Sequence, residues 1–253
     1  MSERVAKVLA RAGLCSRREA ERWIAQGRVT VDGTVLTSPA RDVDDRNLVE
    51  VDGKPLPARE PARLFRYHKP AGLVTTHRDE QGRPAVFDNL PKGLPRLISV
   101  GRLDLNSEGL LLLTNDGGLA RELELPRRGW IRRYRVRVHG APTPARLAAL
   151  AQGVTVDGVD YGPIEATLDR VQGANAWLAV ALREGKNREI RKVMAHLGLD
   201  VTRLIRVGYG PFLLGDLPRG AVAEVPRGQM RVELGRELVP PAPHRRAVQR
   251  GGE

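Results

Sequence analysis

The chain of 253 residues carries 42 Lys and Arg against 30 Asp and Glu, a formal charge of +12, and is 41% hydrophobic. That length suits two domains better than one, and that charge points to a polyanionic partner, nucleic acid first. A single cysteine, Cys15, excludes a disulfide framework and any zinc site built on paired thiolates. The five histidines form no HxH or HExxH pattern, and no apolar run approaches the ~18 residues of a membrane span or forms a signal-peptide core. The expectation is a cytoplasmic, monomeric protein that binds no metal and no membrane.

In chain order, "VAKVLARAG" (5–13) sets Val5, Val8, Leu9 and Ala12 at helical spacing, with Gly13 as a stop. "CSRREAERWIAQG" (15–27) follows: Ser16 and Glu19 fit a capping box, Ala20, Trp23 and Ile24 form a buried stripe, and Gly27 ends the helix. "RVTVDGTVL" (28–36) reads as a hairpin turning at Asp32-Gly33, and "NLVEVDGKPL" (47–56) supplies another short strand. The polar helix faces carry Arg4, Lys7, Arg11, Arg17, Arg18 and Arg22, with Arg28 just beyond, against only Glu3, Glu19 and Glu21. Seven cations so placed can track a phosphate backbone.

"PLPAREPARL" (55–64) holds three prolines and no periodicity, which puts a linker at 59–64. Beyond it, strand-like runs at Leu64–His68, Leu110–Thr114, Tyr134–Val138, Ala176–Leu182, Val201–Val207 and Ala221–Val225 alternate with two helical segments. One is "TPARLAALAQG" (143–153) and the other is "NREIRKVMAHLG" (187–198), where Asn187 offers an N-cap. Without a strict βαβ rhythm, the fold class is α+β around a mixed, mostly antiparallel sheet. The domain spans 65–238, and the basic, Pro-rich tail 239–253 is expected to be disordered.

Three segments of this second domain carry chemistry. In "GRLDLNSEGLLLLTNDGG" (101–118), four leucines without alternation predict a strand buried on both faces. Asp104 enters it from a turn-prone loop, and spacing alone reads it either as a turn or cap aspartate or as a carboxylate facing a cleft. In "RRYRVRV" (132–138), Tyr134, Val136 and Val138 share one face and Arg133, Arg135 and Arg137 the other. Tyr134 is then either a core residue or a ring that stacks on a base. In the third segment, Ile190, Val193, Met194 and Leu197 make a core stripe, leaving Arg188 and Arg191 on a different face of the first turn. Cations there oppose the helix dipole, so an anion is expected nearby.

Residues 2–58, above all "AGLCSRREAERWIAQGRVTVDG", closely resemble the S4 RNA-binding domain. With it, "HKPAGLVTT" (68–76), "GRPAVFDNLP" (82–91), "VGRLDLNSEGLLLLTNDG" (100–117), "RRYRVRV" and "LREGKNREIRKVM" (182–194) resemble the RsuA/RluB-type ribosomal RNA pseudouridine synthases. The resemblance covers nearly all of residues 2–235 and is nearest the RluB branch, whose members act on large-subunit RNA. It implies a small S4-type domain (1–58) followed by a synthase domain that isomerises uridine in structured ribosomal RNA, 23S RNA or its precursor particle, with no cofactor and no metal. It also implies Asp104 as catalytic aspartate, Tyr134 as active-site tyrosine and Arg191 as the cation paired with the aspartate. Ile190 would pack under the target base, and Arg102, Lys186, Asn187 and Arg188 would join it in contacting substrate. Two positions depart from the commonest pattern: Leu105 stands where an aromatic is usual, and Asn106 where Asp often stands. The rival readings are a non-catalytic S4-type assembly factor, a small-subunit (16S) synthase and, more distantly, a metal-dependent nuclease.

Overall fold

The computed structural model describes residues 2–58, 60–235 and 237–239. The described residues divide into two compact units, 2–63 with 225–239, and Leu64–Glu224. Segment 225–238, expected with the second domain, thus groups with the first. The tail expected to be disordered lies outside the described residues, apart from Val239.

In the first unit, β1 (Glu3–Arg4) leads into α1 (Val5–Arg11), followed by α2 (Arg17–Ala25), β2 (Val29–Val31), β3 (Thr34–Val35), β4 (Asp42–Val43), β5 (Val49–Val51) and β6 (Lys54–Pro55). The strands form a sheet in the order β3-β2-β5-β6, with β1 paired to β4 apart from it. Ser16 Oγ accepts from the Glu19 backbone N at 3.1 Å, the cap that the sequence predicts. Asp32 and Gly33 are both left-handed (φ 51° and 78°), the turn that an Asp-Gly pair favours between twisted strands. "VDG" does the same at Asp52-Gly53 and again at Asp157-Gly158. Val5, Leu9, Ala20, Ile24 and Val29 are fully buried between helices and sheet.

The second unit runs β7 (Leu64–Lys69), β8 (Ile98–Val100), β9 (Ser107–Thr114), α3 (Gly117–Glu124), β10 (Arg132–His139), α4 (Pro144–Ala149), β11 (Val154–Val156), β12 (Val159–Tyr161), β13 (Ile164–Gln172), β14 (Asn175–Leu182), α5 (Glu189–His196), β15 (Asp200–Tyr209), β16 (Phe212–Leu213) and β17 (Val222–Glu224). Helix α6 (Arg227–Leu234) follows in the segment that groups with the first unit. Nine strands form one sheet, β13-β14-β10-β15-β9-β7-β17, with β16 on β15 and β8 on β9. Within it only β9 and β15 run parallel, and they occupy the middle, where Leu110–Leu113 are wholly buried. The unbroken leucine run is thus a strand covered on both faces. One core packs α4 and α5 on the sheet through Val136, Val138, Leu178, Val193 and Met194. The other gathers Phe65, Tyr67, Val86, Leu103, Leu111 and Leu113.

Gly109 makes the parallel seam possible. It pairs with Arg206 at φ +99°, and a Cβ there would overlap the Arg206 carbonyl oxygen. The sequence reading missed α3, α6 and the long strand β13. Helix α3 opens on two glycines, poor helix formers that hide its start; Asp116 starts it by accepting from the Gly118 and Leu119 backbone N–H groups.

Candidate active site

The loop between β8 and β9 is held by its backbone, not by its side chains. Glu124 accepts from Gly101 N at 2.6 Å. Thr75 clamps Leu103 from both sides, its Oγ1 donating to the carbonyl at 2.9 Å and accepting from the N–H at 3.3 Å. Lys69 is fully buried, and its ammonium donates to four carbonyls: Pro70 (3.0 Å), Asp104 (3.1 Å), Leu105 (3.3 Å) and Ser107 (2.9 Å). Burial pushes the Lys69 amine down to about 8, against the pull of the Asp104 and Glu108 charges. Arg191 closes the loop by donating to Asn106 O at 3.0 Å, while its other terminal nitrogen donates to Val201 O at 2.9 Å.

This pinning leaves the Asp104 carboxylate the most loosely held acid of the motif. The other two acids of the 101–118 motif are engaged. Glu108 is buried and gripped by Arg203 (2.8 and 3.1 Å) and Arg219 (3.1 Å), which hold its carboxyl below the usual range. Asp116 caps α3. Asp104 is a third exposed, and its ion-pair partner is Arg188, at 3.8 Å.

That pairing corrects the expectation for Arg191, which lies within electrostatic reach of Asp104 but aims its guanidinium at two backbone carbonyls. Nor does Arg188 share a helical turn with Arg191. It stands before α5 in a left-handed conformation (φ 52°), at the N-cap position expected for Asn187, with no side-chain cap bond. That kink carries its side chain off the helix toward the loop. Glu189 stabilises the turn instead, its Oε2 accepting from Lys186 N at 2.9 Å, and burial pushes its carboxyl up.

Asp104 and Tyr134 line one cavity of about 490 Å³, within the size range of small-ligand sites. Arg102, Lys186, Asn187 and Arg188 line it as well and are exposed, whereas Ile190 and Leu204 are buried in its wall. Tyr134 is half-buried and packs against the α5-side core while also lining the cavity. The cavity thus brings together every site residue expected in this unit except Arg191, which braces it from outside. Lys69, Thr75, Glu124 and Arg206 were missed. A lysine directly after an apolar strand, in "HKPAG", was the one available signal. Among the described residues no group of three His, Cys, Asp or Glu side chains comes together, and no helix is long and apolar enough to cross a membrane.

In the first unit the seven cations divide. Lys7 and Arg11 pair with Glu3, Arg4 with Asp42, and Arg28 with Asp52 while lying over the Trp23 ring. Arg17, Arg18 and Arg22 project from α2 into solvent and, among the described residues, have no carboxylate partner. Those three are the cations most available to phosphate.

The family model for RNA pseudouridylate synthases matches residues 63–196. The chain belongs to the RNA pseudouridylate synthase family. The S4 domain model matches residues 3–49 of this pseudouridine synthase, so the enzyme carries an RNA-binding module beside its isomerase unit. It is similar to an uncharacterized RNA pseudouridine synthase of Rickettsia felis, 47% identical over 223 residues, 88% of this chain and 96% of the relative. It is also similar to ribosomal large subunit pseudouridine synthase B of Salmonella typhimurium, 42% identical over 248 residues, 95% of this chain and 85% of the relative. The fold matches the crystal structure of a pseudouridylate synthase with a TM-score of 0.63 at 24% identity, covering 90% of this chain and 98% of that one.

Proposed function

We propose that this synthase converts a uridine of large-subunit ribosomal RNA to pseudouridine in the cytoplasm, as a monomer and without a cofactor, with Asp104 as the catalytic carboxylate. The observation that carries the assignment is the pinned loop: its backbone is fixed by Lys69, Thr75, Glu124 and Arg191, and Asp104 is the acid left over to face the cavity. The reaction breaks the C1′–N1 bond, turns the detached base, joins C5 to C1′ and releases the C5 proton. It needs one ionised carboxylate at sugar or base. Arg188, 3.8 Å from the Asp104 carboxylate, supplies the cation beside it.

The uridine must leave its stack to reach Asp104, at a cost of a few kcal/mol that pocket contacts offset. In this reading Ile190 packs beneath the base, Tyr134 stacks and helps remove the C5 proton, and the exposed Arg102, Lys186, Asn187 and Arg188 take the flanking phosphates. Arg17, Arg18 and Arg22 hold the surrounding stem. The large-subunit assignment rests on the relative named for that substrate, which aligns over 95% of the chain.

Incubation with C5-tritiated ribosomal RNA tests the proposal. Tritium release with the chain uncut, and a pseudouridine mapping to 23S RNA, is the expected result. Bound but unaltered RNA would support an assembly factor instead, shortened RNA a nuclease, and a site in 16S RNA a small-subunit synthase.

A further inference from the structure

The floor of the cavity holds a guanidinium that, among the described residues, meets no carboxylate. Arg206 pairs with Tyr134 across β10 and β15, and directly paired residues project to the same face of a sheet. It lines the cavity yet is only 3% exposed. Its Nε donates to Leu110 O at 2.7 Å, and its guanidinium carbon lies 5.2 Å from the centre of the Tyr209 ring. These contacts fix the plane of the group without neutralising it. Nη2 is buried without a hydrogen-bond partner, and among the described residues no carboxylate pairs with it. Glu108, on the adjacent strand, pairs in register with Ile205, projects to the opposite face and is occupied by Arg203 and Arg219. A buried cation left so is costly, and an oriented one marks a place where an anion or a strong acceptor arrives.

We infer that Arg206 is a catalytic residue of this synthase, its guanidinium donating to a carbonyl oxygen of the flipped uracil. The inference rests on the synthase reading above. Depth selects the base over a phosphate. Arg102, Lys186 and Arg188 are the exposed cations at the rim, while Arg206 lies on the floor beside Tyr134 and Leu204, where a flat ring fits. When the C1′–N1 bond breaks, its electron pair passes into the ring and spreads over N1, O2 and O4. A fixed guanidinium at one carbonyl stabilises that charge more than it stabilises neutral uridine, which is how a site lowers a barrier. After the base turns, the ring returns a pair to the electron-deficient C1′ as the new C5–C1′ bond, the C5 proton leaves and N1 takes up a proton.

The test uses the full chain and an RNA stem-loop bearing the mapped uridine as such, as 2-thiouridine and as 4-thiouridine, since sulfur accepts hydrogen bonds poorly. Arg206→Met should lower the single-turnover rate by about a hundredfold while changing RNA affinity by less than about threefold. One of the two thio substrates should slow the wild type and leave Arg206→Met no slower than it is with uridine. A folded Arg206→Met with a rate near wild type, a loss confined to RNA affinity, or equal thio penalties in both proteins would overturn the inference. If Arg206→Met shows no cooperative thermal transition, Arg206→Lys on the same three substrates decides: a reduced thio penalty supports the contact and an unchanged one refutes it. Wild-type protein that releases no tritium would defeat the synthase reading itself.

Discussion

Arg188 reaches the Asp104 carboxylate, at 3.8 Å, from a left-handed backbone that an arginine adopts only at a cost. Strain and charge can be separated there. Arg188→Ala removes the cation and keeps the strained turn, while Arg188→Gly removes both. A half-exposed pair of this kind supplies on the order of 1 kcal/mol, so tritium release should fall roughly fivefold to tenfold in both variants. In urea denaturation the glycine variant should be more stable than the alanine variant by about 1 kcal/mol. Equal stabilities would remove the strain argument.

The role proposed for Asp104 is chemistry and not grip. Asp104→Asn should abolish tritium release while RNA affinity, measured by filter binding, stays within about threefold of wild type, because phosphate contacts made elsewhere dominate affinity. Retention of more than a few per cent of the rate would exclude it as the catalytic carboxylate.

Lys69 gives a pH dependence in which activity and stability diverge. Its folded value, about 8, lies below the ordinary 10.5, so the folded state gives up its proton first. Between these values the unfolded state holds more protons, and this group's contribution to stability rises with pH. Over the same range the deprotonated amine donates fewer hydrogen bonds to the four loop carbonyls, so tritium release should decline from about 8 upward while the urea midpoint does not. Lys69→Met, which leaves those carbonyls without their donor, should cost about 3 kcal/mol at neutral pH.

Gly109 admits no side chain. With its φ at +99° and no room for a Cβ against the Arg206 carbonyl, Gly109→Ala should cost about 4 kcal/mol or fail to fold, whereas Gly33→Ala, with open space around it, should cost far less. Comparing the two by thermal unfolding checks the difference.

The free cations of α2 should set the salt response. Replacing Arg17, Arg18 and Arg22 together by Ala should reduce the slope of log affinity against log salt by about 2 to 3, three lost phosphate contacts at ~0.7–0.9 each. Replacing Arg4, Lys7 and Arg11, which are already paired to Glu3 and Asp42, should change it less.

What the sequence disclosed follows from how local each signal is. The Ser16 cap, the Asp32-Gly33 turn and the buried leucine strand need only neighbouring residues, and all are present. Asp104, Tyr134 and Ile190 share a cavity as the motifs implied. Lys69 stayed unassigned because its four acceptors lie mostly on a loop distant in sequence, and a charged residue closing an apolar strand looks solvent-bound. The ion pair to Asp104 falls to Arg188 and not Arg191 for a similar reason. Helical spacing placed both on one turn, but a single left-handed residue moved Arg188 off the helix, and no periodicity shows where such a break falls.

The parallel seam between β9 and β15 has a consequence for the order in which the enzyme comes into being on the ribosome. Ser107 and Leu204 are partners across it, so Asp104 is synthesised long before the strand and the helix that complete its surroundings. A nascent chain that has emerged only through β14 carries the aspartate beside a raw strand edge, with neither Arg188 nor Arg206 in place. Such non-local pairing forms late and slowly. On the roles proposed for Asp104 and Arg206, the nascent chain is expected to stay catalytically silent until β15 has emerged.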